Sequence, residues 1–188
     1  VRNRFSLPDG ISIENAAPAG FGGFPEHGEG SGLAEYVASL FDPSIDWDDL
    51  EWLAGRTPLP VLIKGVARGD DAVRSLDHGA AAVVVSNHGG RQLDTAPATI
   101  DALPEVAAAM GGRGEILLDG GIRRGTDVVK ALARGARAVL LGRPILWGLA
   151  VDGAAGVTGV LDIIRDELDT AMALCGVSSV GEIDSELL

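Results

Sequence analysis

Residues 62–86 of this 188-residue chain recur in residues 118–142, with 11 identities in 25 positions at an offset of 56. Arg68-Gly69 returns as Arg124-Gly125, and Gly79-Ala80 as Gly135-Ala136. Each copy runs from a short apolar segment through an amphipathic stretch closed by glycine to a second apolar segment, the pattern of a βαβ unit around a parallel sheet. One unit of a (β/α)8 TIM barrel averages about 31 residues. The offset is therefore about two units, as expected for quarter-barrels in tandem. Alternation alone also suits an open flavodoxin-like sheet, and four barrel-type strands are visible.

The pattern predicts strand Val61–Lys64, helix Asp70–Asp77 ended by Gly79, strand Ala82–Ser86 and a helix near Ile100–Met110. It continues with strand Glu115–Asp119, helix Thr126–Ala133 ended by Gly135, and strand Ala138–Gly142. Upstream, residues 10–33 have neither helical nor strand period and read as a long loop, with Gly20–Gly30 as a candidate lid. Between Leu33 and Leu53 two short helices are expected, with Asp46 as a cap and Trp47, Leu50 and Leu53 at helical spacing. Residues 1–40 are thus expected to form a loop or lid region with a short helix, and residues 41–188 half of a barrel.

Parallel βα architectures collect functional groups at the C-terminal ends of their strands, where the loops share one mouth. That rule selects Lys64, then Ser86-Asn87-His88-Gly89-Gly90-Arg91, then Asp119-Gly120-Gly121-Ile122-Arg123, and finally Gly142-Arg143-Pro144. In the third group, glycines let backbone N–H groups approach a phosphate, a helix N-terminus follows, and arginine offers a bidentate contact. Gly142-Arg143 adds a second glycine and cation at the next strand, where such barrels often bind phosphate. Turn-forming glycines and surface arginines are the alternative. His88 and Arg91, three residues apart in a strand-end loop, could move a proton and grip an anion. His27 and His78 lie in a loop and on a helical face and are weaker candidates. Lys64 could be a buried charge partner, a Schiff-base lysine or a solvent-facing lysine.

Composition narrows the partners. A formal charge of −12 without a local basic patch argues against nucleic acid. Apolar residues make up 46% of the chain and mean hydropathy is +0.23, which suits a globular α/β protein. Cys175 is the only cysteine, which precludes an intrachain disulfide and leaves no paired-cysteine metal signature. No signal-type segment opens the sequence and no run approaches about 18 apolar residues, so a cytoplasmic protein without membrane insertion is expected.

Lys64-Gly65, the string Ser86-Asn87-His88-Gly89-Gly90-Arg91-Gln92-Leu93-Asp94, Asp119 to Gly125 and Leu141-Gly142-Arg143-Pro144 together resemble the FMN-dependent 2-hydroxy-acid dehydrogenase/oxidase family. Glycolate oxidase, lactate oxidase, mandelate dehydrogenase and flavocytochrome b2 are members. The likeness extends to Asp42-Pro43-Ser44, the Trp47–Trp52 segment and Asp166-Glu167-Leu168. It implies a TIM barrel of which this chain supplies roughly the C-terminal half, strands five to eight, and FMN as cofactor. It also implies roles: Lys64 near the flavin N1/C2 carbonyl, Ser86 bonded to the flavin and Asp119 on the ribityl hydroxyls. Gly120, Gly121, Ile122 and Arg123, with Gly142 and Arg143, would bind the phosphate. His88 would be the base and Arg91 the clamp on a 2-hydroxy acid that leaves as a 2-oxo acid.

The resemblance also places strands one to four upstream of Val1, with active-site tyrosines that the single Tyr36 does not match. The expected partners are therefore a small 2-hydroxy acid and an N-terminal half-barrel or further copies of the chain, and the isolated chain is expected to lack turnover. Two other readings compete: a non-catalytic FMN- or phosphate-binding half-barrel, and another FMN barrel enzyme such as the flavin-type isopentenyl-diphosphate isomerase. The His88/Arg91 pair disfavours the first, and the fit of a base plus clamp to a carboxylate substrate disfavours the second.

Overall fold

A computed structural model describes residues 40–188; the candidate lid, His27 and Tyr36 lie outside the described residues. The chain divides into two compact units, Val1–Ile45 and Asp46–Leu188. In the first, the Asp42 carboxylate accepts hydrogen bonds from the Ser44 N–H at 2.9 Å and hydroxyl at 2.7 Å, which holds its carboxyl below the usual range.

The second unit begins with helix α1 (Trp47–Ala54). Asp46 caps it, and Asp49 answers on the Asp46 N–H at 2.9 Å to complete a capping box. There follow β1 (Leu62–Val66), α2 (Gly69–Asp77), β2 (Ala82–Val85), α3 (Thr99–Met110), β3 (Glu115–Asp119), α4 (Gly125–Ala133), β4 (Ala138–Leu140) and α5 (Arg143–Cys175). All strand pairs are parallel and the sheet order is β1-β2-β3-β4. An open doubly wound sheet reverses its strand order at a switch point. Strict chain order with right-handed crossovers instead lays every helix on one side, as in a barrel wall.

The core agrees. Val83 and Val85 of β2 and Ile116 and Leu118 of β3 meet Ala72, Leu103, Val106, Val128, Ala131 and Ile164 in one buried cluster, so α2 to α5 share one face of the sheet. All four residues of β2 are buried, as in a central parallel strand. On the outer strands Leu62 and Leu140 remain 41% and 37% exposed.

The repeat holds at residue level in α2 and α4, whose limits 69–77 and 125–133 differ by 56, as do the starts of β2 and β4 at 82 and 138. Both helices end through the same left-handed glycine. Gly79 and Gly135 have φ of 95° and 105°, and the next N–H reaches back to Ser75 O at 2.9 Å and Ala131 O at 3.0 Å. Both helices also begin alike. The Gly69 N–H donates to Glu105 of α3 at 2.9 Å, and the Gly125 N–H to Glu167 of α5 at 3.0 Å. The recurring Arg-Gly dipeptide is thus a device by which each helix is capped from the next. Within α3, Pro104 cannot bond the carbonyl four residues back, and Arg134 Nη1 takes that place on Ile100 O at 3.2 Å.

No element is expected from sequence after Pro144, and there the structure has the longest helix among the described residues. Residues Asp152 and Gly153 interrupt it with non-helical backbone. In a straight helix residues eight apart are separated by about 12 Å along the axis. A Cβ on Gly148 would nonetheless stand 2.5 Å from Gly156 O, so the chain doubles back at the break. The expectation that no run reaches about 18 apolar residues does not bear on a longer helix of mixed composition. By length and composition alone α5 is the one helix among the described residues that could cross a membrane. The break, and the packing of Ala171 and Met172 on Val129 and Ala133 of α4, make it a folded pair of helices against the sheet.

Where α4 starts, space is the controlling quantity. A Cβ on Gly125 would fall 2.0 Å from Leu168 N. Gly125→Ala is expected to lower stability by about 3 kcal/mol in urea denaturation. Gly112→Ala, at a left-handed but open turn (φ +79°), should cost about 1 kcal/mol. A second expectation concerns pH. The Arg124 guanidinium and then the Gly125 N–H hold the Glu167 carboxyl below its usual range. Its stabilising contribution is present above the unfolded carboxylate value of about 4.3 and fades as pH falls through the lower folded value. Stability curves between pH 3 and 6 should therefore fall less steeply on acidification in Glu167→Gln than in the parent.

Candidate active site

Register decides which side chains meet. Lys64 pairs with Val84, Val85 with Leu118, and Asp119 with Leu140, so the C-terminal ends of all four strands form one rim. Gly65, with φ of 106°, makes a bulge directly after Lys64. At that rim Lys64 Nζ lies 2.6 Å from Asp119 Oδ2 and donates to Ser86 Oγ at 2.8 Å. Ser86 Oγ also accepts the His88 N–H at 3.0 Å, so the hydroxyl proton is left to point elsewhere. Asp119 Oδ1 is buried and has no hydrogen-bond partner.

His88 stands in the left-handed region at φ 56°, followed by Gly89 at 68° and Gly90 at 73°. A non-glycine residue there costs about 1–2 kcal/mol. Such strain persists where neighbours over-determine it, and it concentrates at functional positions. The tight turn lifts the exposed imidazole off the sheet end, and Arg91 follows it, also exposed. Beyond β4, Arg143 opens α5 with Pro144 behind it, and its Nη2 reaches Gly89 O at 3.4 Å. The Arg123 guanidinium stacks 5.1 Å from the centre of the Trp147 ring of α5 and donates to Ile122 O at 2.7 Å.

These groups enclose one cleft of about 330 Å³, within the ordinary range for cofactor sites. Lys64, His88, Arg91, Asp119, Gly120, Gly121, Ile122, Arg123, Gly142 and Arg143 all line it, so ten of the eleven residues given a site role by the resemblance come together. Ser86, the eleventh, is buried beneath the rim and bonded to Lys64.

The family model for FMN-dependent dehydrogenases matches residues 1–188. The chain belongs to that family. Among curated relatives of this chain, L-lactate oxidase of Nostoc sp. is 54% identical over 187 residues, all of this chain and 51% of the relative. Human 2-hydroxyacid oxidase 1 is 52% identical over 190 residues, covering all of this chain and 51% of its own length. Glycolate oxidase 3 of Arabidopsis thaliana is 50% identical over 97% of the chain and 50% of its own length. The chain spans about half the length of the curated relatives it matches. Among solved structures, a lactate oxidase of Pediococcus acidilactici superposes with a TM-score of 0.76 at 41% identity, covering 82% of this chain and 44% of that one. A mandelate oxidase variant with a monooxide FMN adduct gives 0.71 at 50% identity, covering 73% and 44%. These neighbours are barrels, and the sheet described here is a partial α/β barrel of the same kind.

The cleft of this family member fits a long, phosphate-bearing cofactor on its own evidence. The unpartnered Asp119 Oδ1 is an acceptor awaiting a hydroxyl donor. No atom lies within 4 Å of where side chains would begin on Gly121 and Gly142, so backbone is open to close approach there, between Arg123 and Arg143. Ile122, Leu140, Leu141 and Leu146 supply apolar wall.

Three participants lie outside the sequence reading. Leu146 and Trp147 belong to a helix with no expected counterpart, although their spacing of three and four residues from Arg143 is a helical signal. Thr99 carries no role in the sequence reading, and Asn87 stands there only as a member of the strand-end group; in the structure both tie the rim together. His78, expected on a helical face, is the C-terminal cap of α2, where its Nδ1 lies 3.6 Å from Glu51 and its ring stacks on Trp47 at 6.0 Å. Asp48, Glu51 and His78 are also the one group among the described residues whose donor atoms could share a metal ion.

Thr99 is 4% exposed, and its hydroxyl donates to Asp119 O at 2.6 Å. Thr99→Val leaves that carbonyl without its donor and should lower stability by about 1–2 kcal/mol. The exposed Thr158→Val, as a control, should stay within about 0.5 kcal/mol of the parent in the same urea titration.

Proposed function

We propose that this chain carries most of the FMN site and two substrate-facing groups of an enzyme that oxidises a 2-hydroxy acid to a 2-oxo acid. A single observation supports the reading best: a cation-carboxylate pair, a histidine-arginine pair and two glycine-arginine loops line one cleft at one rim of the sheet. Family membership and relatives named as lactate, glycolate and 2-hydroxyacid oxidases favour it.

In this reading Asp119 Oδ1 takes the ribityl hydroxyls, and Gly120 to Arg123, with Gly142 and Arg143, hold the phosphate. FMN, when bound, accepts the two electrons. Lys64 then works as a fixed cation at the rim, already aligned by Ser86 and Asp119 before any charge develops, which is the condition for effective electrostatic stabilisation. Arg91 offers its planar fork to the substrate carboxylate. That contact fixes the α-carbon in place and removes the cost of finding the reactive pose. His88, held above the sheet end by its left-handed turn, takes a proton from the substrate, either from the hydroxyl or from the α-carbon.

The partner that completes the cavity is an upstream half-barrel. Leu62 and Leu140 lie exposed on the two outer strands, and parallel strands are seldom left uncovered.

The test is flavin absorbance of the purified chain, with and without a co-expressed upstream half, before and after anaerobic glycolate, L-lactate or mandelate. Bleaching is expected only with the upstream half. His88→Gln should then slow bleaching by about 10²–10⁴-fold at unchanged flavin content. Arg91→Met should weaken substrate binding by more than tenfold. Flavin that binds in both preparations and never bleaches would instead establish a non-catalytic flavin-binding half-barrel.

A further inference from the structure

Thirteen residues, 86–98, separate β2 from the foot of α3, and the loop they form carries both His88 and Arg91. Its two ends are joined by one side chain. Asn87 Nδ2 donates to Pro97 O at 3.0 Å, while Asn87 Oδ1 accepts the Gly90 N–H at 3.2 Å, reinforcing the bond of that N–H to Asn87 O at 3.0 Å. The same carboxamide abuts the neighbouring strand end: a Cβ on Gly120 would lie 3.4 Å from Asn87 Oδ1 and 3.0 Å from Thr99 Oγ1. Asn87 thus touches the His88 turn, the entrance to α3 and the glycine after Asp119; it lines not the cleft of Lys64, His88 and Arg91 but an adjoining pocket of about 270 Å³ that shares Gly89, Gly120, Gly121 and Arg143 with it.

Beside Asn87 the loop has few ties, the 3.4 Å bond from Arg143 Nη2 to Gly89 O among them. Residues 88 and 90–95 are exposed, Leu93 at 74%, and both His88 and Thr95 sit at positive φ, 56° and 64°. A left-handed non-glycine residue relaxes toward ordinary backbone unless hydrogen bonds hold it. The Ser86 hydroxyl secures one side, on the His88 N–H. On the other side only an amide side chain can do what Asn87 does, donating to one carbonyl while accepting from an N–H.

From this we infer that Asn87 is a positioning residue: a staple across the base of the 88–97 loop that sets His88 and Arg91 over the cleft. The staple is read from the hydrogen bonds; its consequence for the reaction rests on the function proposed above. Aspartate is the informative replacement. It has the size of asparagine and keeps an acceptor for Gly90, but it presents oxygen where Pro97 O needs a donor. If Asn87 merely filled space, Asn87→Asp would be silent. If it is a staple, Asn87→Asp fails as Asn87→Ala does.

Two measurements decide the matter. The first, hydrogen–deuterium exchange on the full 188-residue chain, needs neither flavin nor turnover. Peptides covering residues 86–97 should exchange at least tenfold faster in Asn87→Asp and Asn87→Ala than in the parent, with β3 and α4 unchanged. Equal exchange in parent and Asn87→Asp overturns the staple. The second is anaerobic flavin reduction by saturating substrate in the preparation completed by the upstream half. Displacing reacting groups by about 1 Å costs on the order of 10² in rate. Reduction is therefore expected to slow about 100-fold in both variants at parental flavin content. Fast exchange with reduction within threefold of the parent overturns the positioning role. His88→Gln separates the two hypotheses: if it too leaves reduction intact, the proposed function fails, whereas an inactive His88→Gln beside an active Asn87→Asp removes the Asn87 assignment alone. Should Asn87→Ala unfold, the isosteric Asn87→Asp carries both readings.

Discussion

Parallel pairing in strict chain order is the constraint on which the rest depends. Four strands that run the same way and never skip a neighbour bring their C-terminal residues to one edge, and each helix must return on the same side. Once Lys64 is opposite Val84, and Val85 opposite Leu118, no freedom remains in where Lys64, Ser86 and Asp119 lie relative to one another. The 2.6 Å ion pair and the 2.8 Å hydrogen bond follow from register, not from a search by long side chains. A one-residue slip of β1 would turn Lys64 to the opposite face of the sheet. The fully buried valines of β2 resist that slip, because any alternative register moves apolar surface out of the core.

Register is in turn guarded by what happens at helix starts. Glycine at positions 69 and 125 lets α3 and α5 come close enough for Glu105 and Glu167 to reach the first N–H groups of α2 and α4. The carboxylates answer both the orphan donors and the positive end of the helix dipole. One consequence is local to the site: with Asp127 Oδ2 accepting the Arg123 N–H at 2.9 Å, that backbone donor is committed to the helix, and Arg123 faces the cleft with its guanidinium alone. The cap and the glycine-arginine loop therefore divide the available donors between them.

Much of this was legible in the chain itself. β3 falls on Glu115–Asp119 as expected, because its apolar run is bounded by Gly114 and by the glycines after Asp119. α2 and α4 begin one residue earlier than expected, since the preceding glycines serve as first helical residues rather than as turns. The differences gather at the rim. Gly65 looks like a terminator in sequence, yet as a bulge it lets β1 run on to Val66. Ser86, Leu141 and Gly142 read as strand residues but leave the ladder, and that departure is what frees them for the site. The helical hairpin after Pro144 went unread because glycine and alanine from Gly148 to Gly159 dilute any period. The packing that fixes it, Gly148 against Gly156, is invisible until the chain has folded back.

The apolar side chains of that hairpin divide between core and surface. Ile164, Ala171 and Met172 of its second half are buried against α4 and the sheet, whereas Leu146, Trp147, Leu149 and Val151 of its first half are each more than half exposed. Leu146 lines the cleft, so apolar surface of the first half reaches the site. An isolated apolar side chain in water needs no explanation, but four in six residues beside a cofactor-sized cleft do. Lys64 and His88 line the same cleft as Leu146, and in water a fixed cation loses most of its leverage over a developing charge. Covering this surface would therefore do two things at once: bury apolar area and lower the dielectric around the rim. Under the function proposed above, a partner that buried this surface would also strengthen the hold of Lys64 on developing charge, so packing and chemistry would be coupled at one rim.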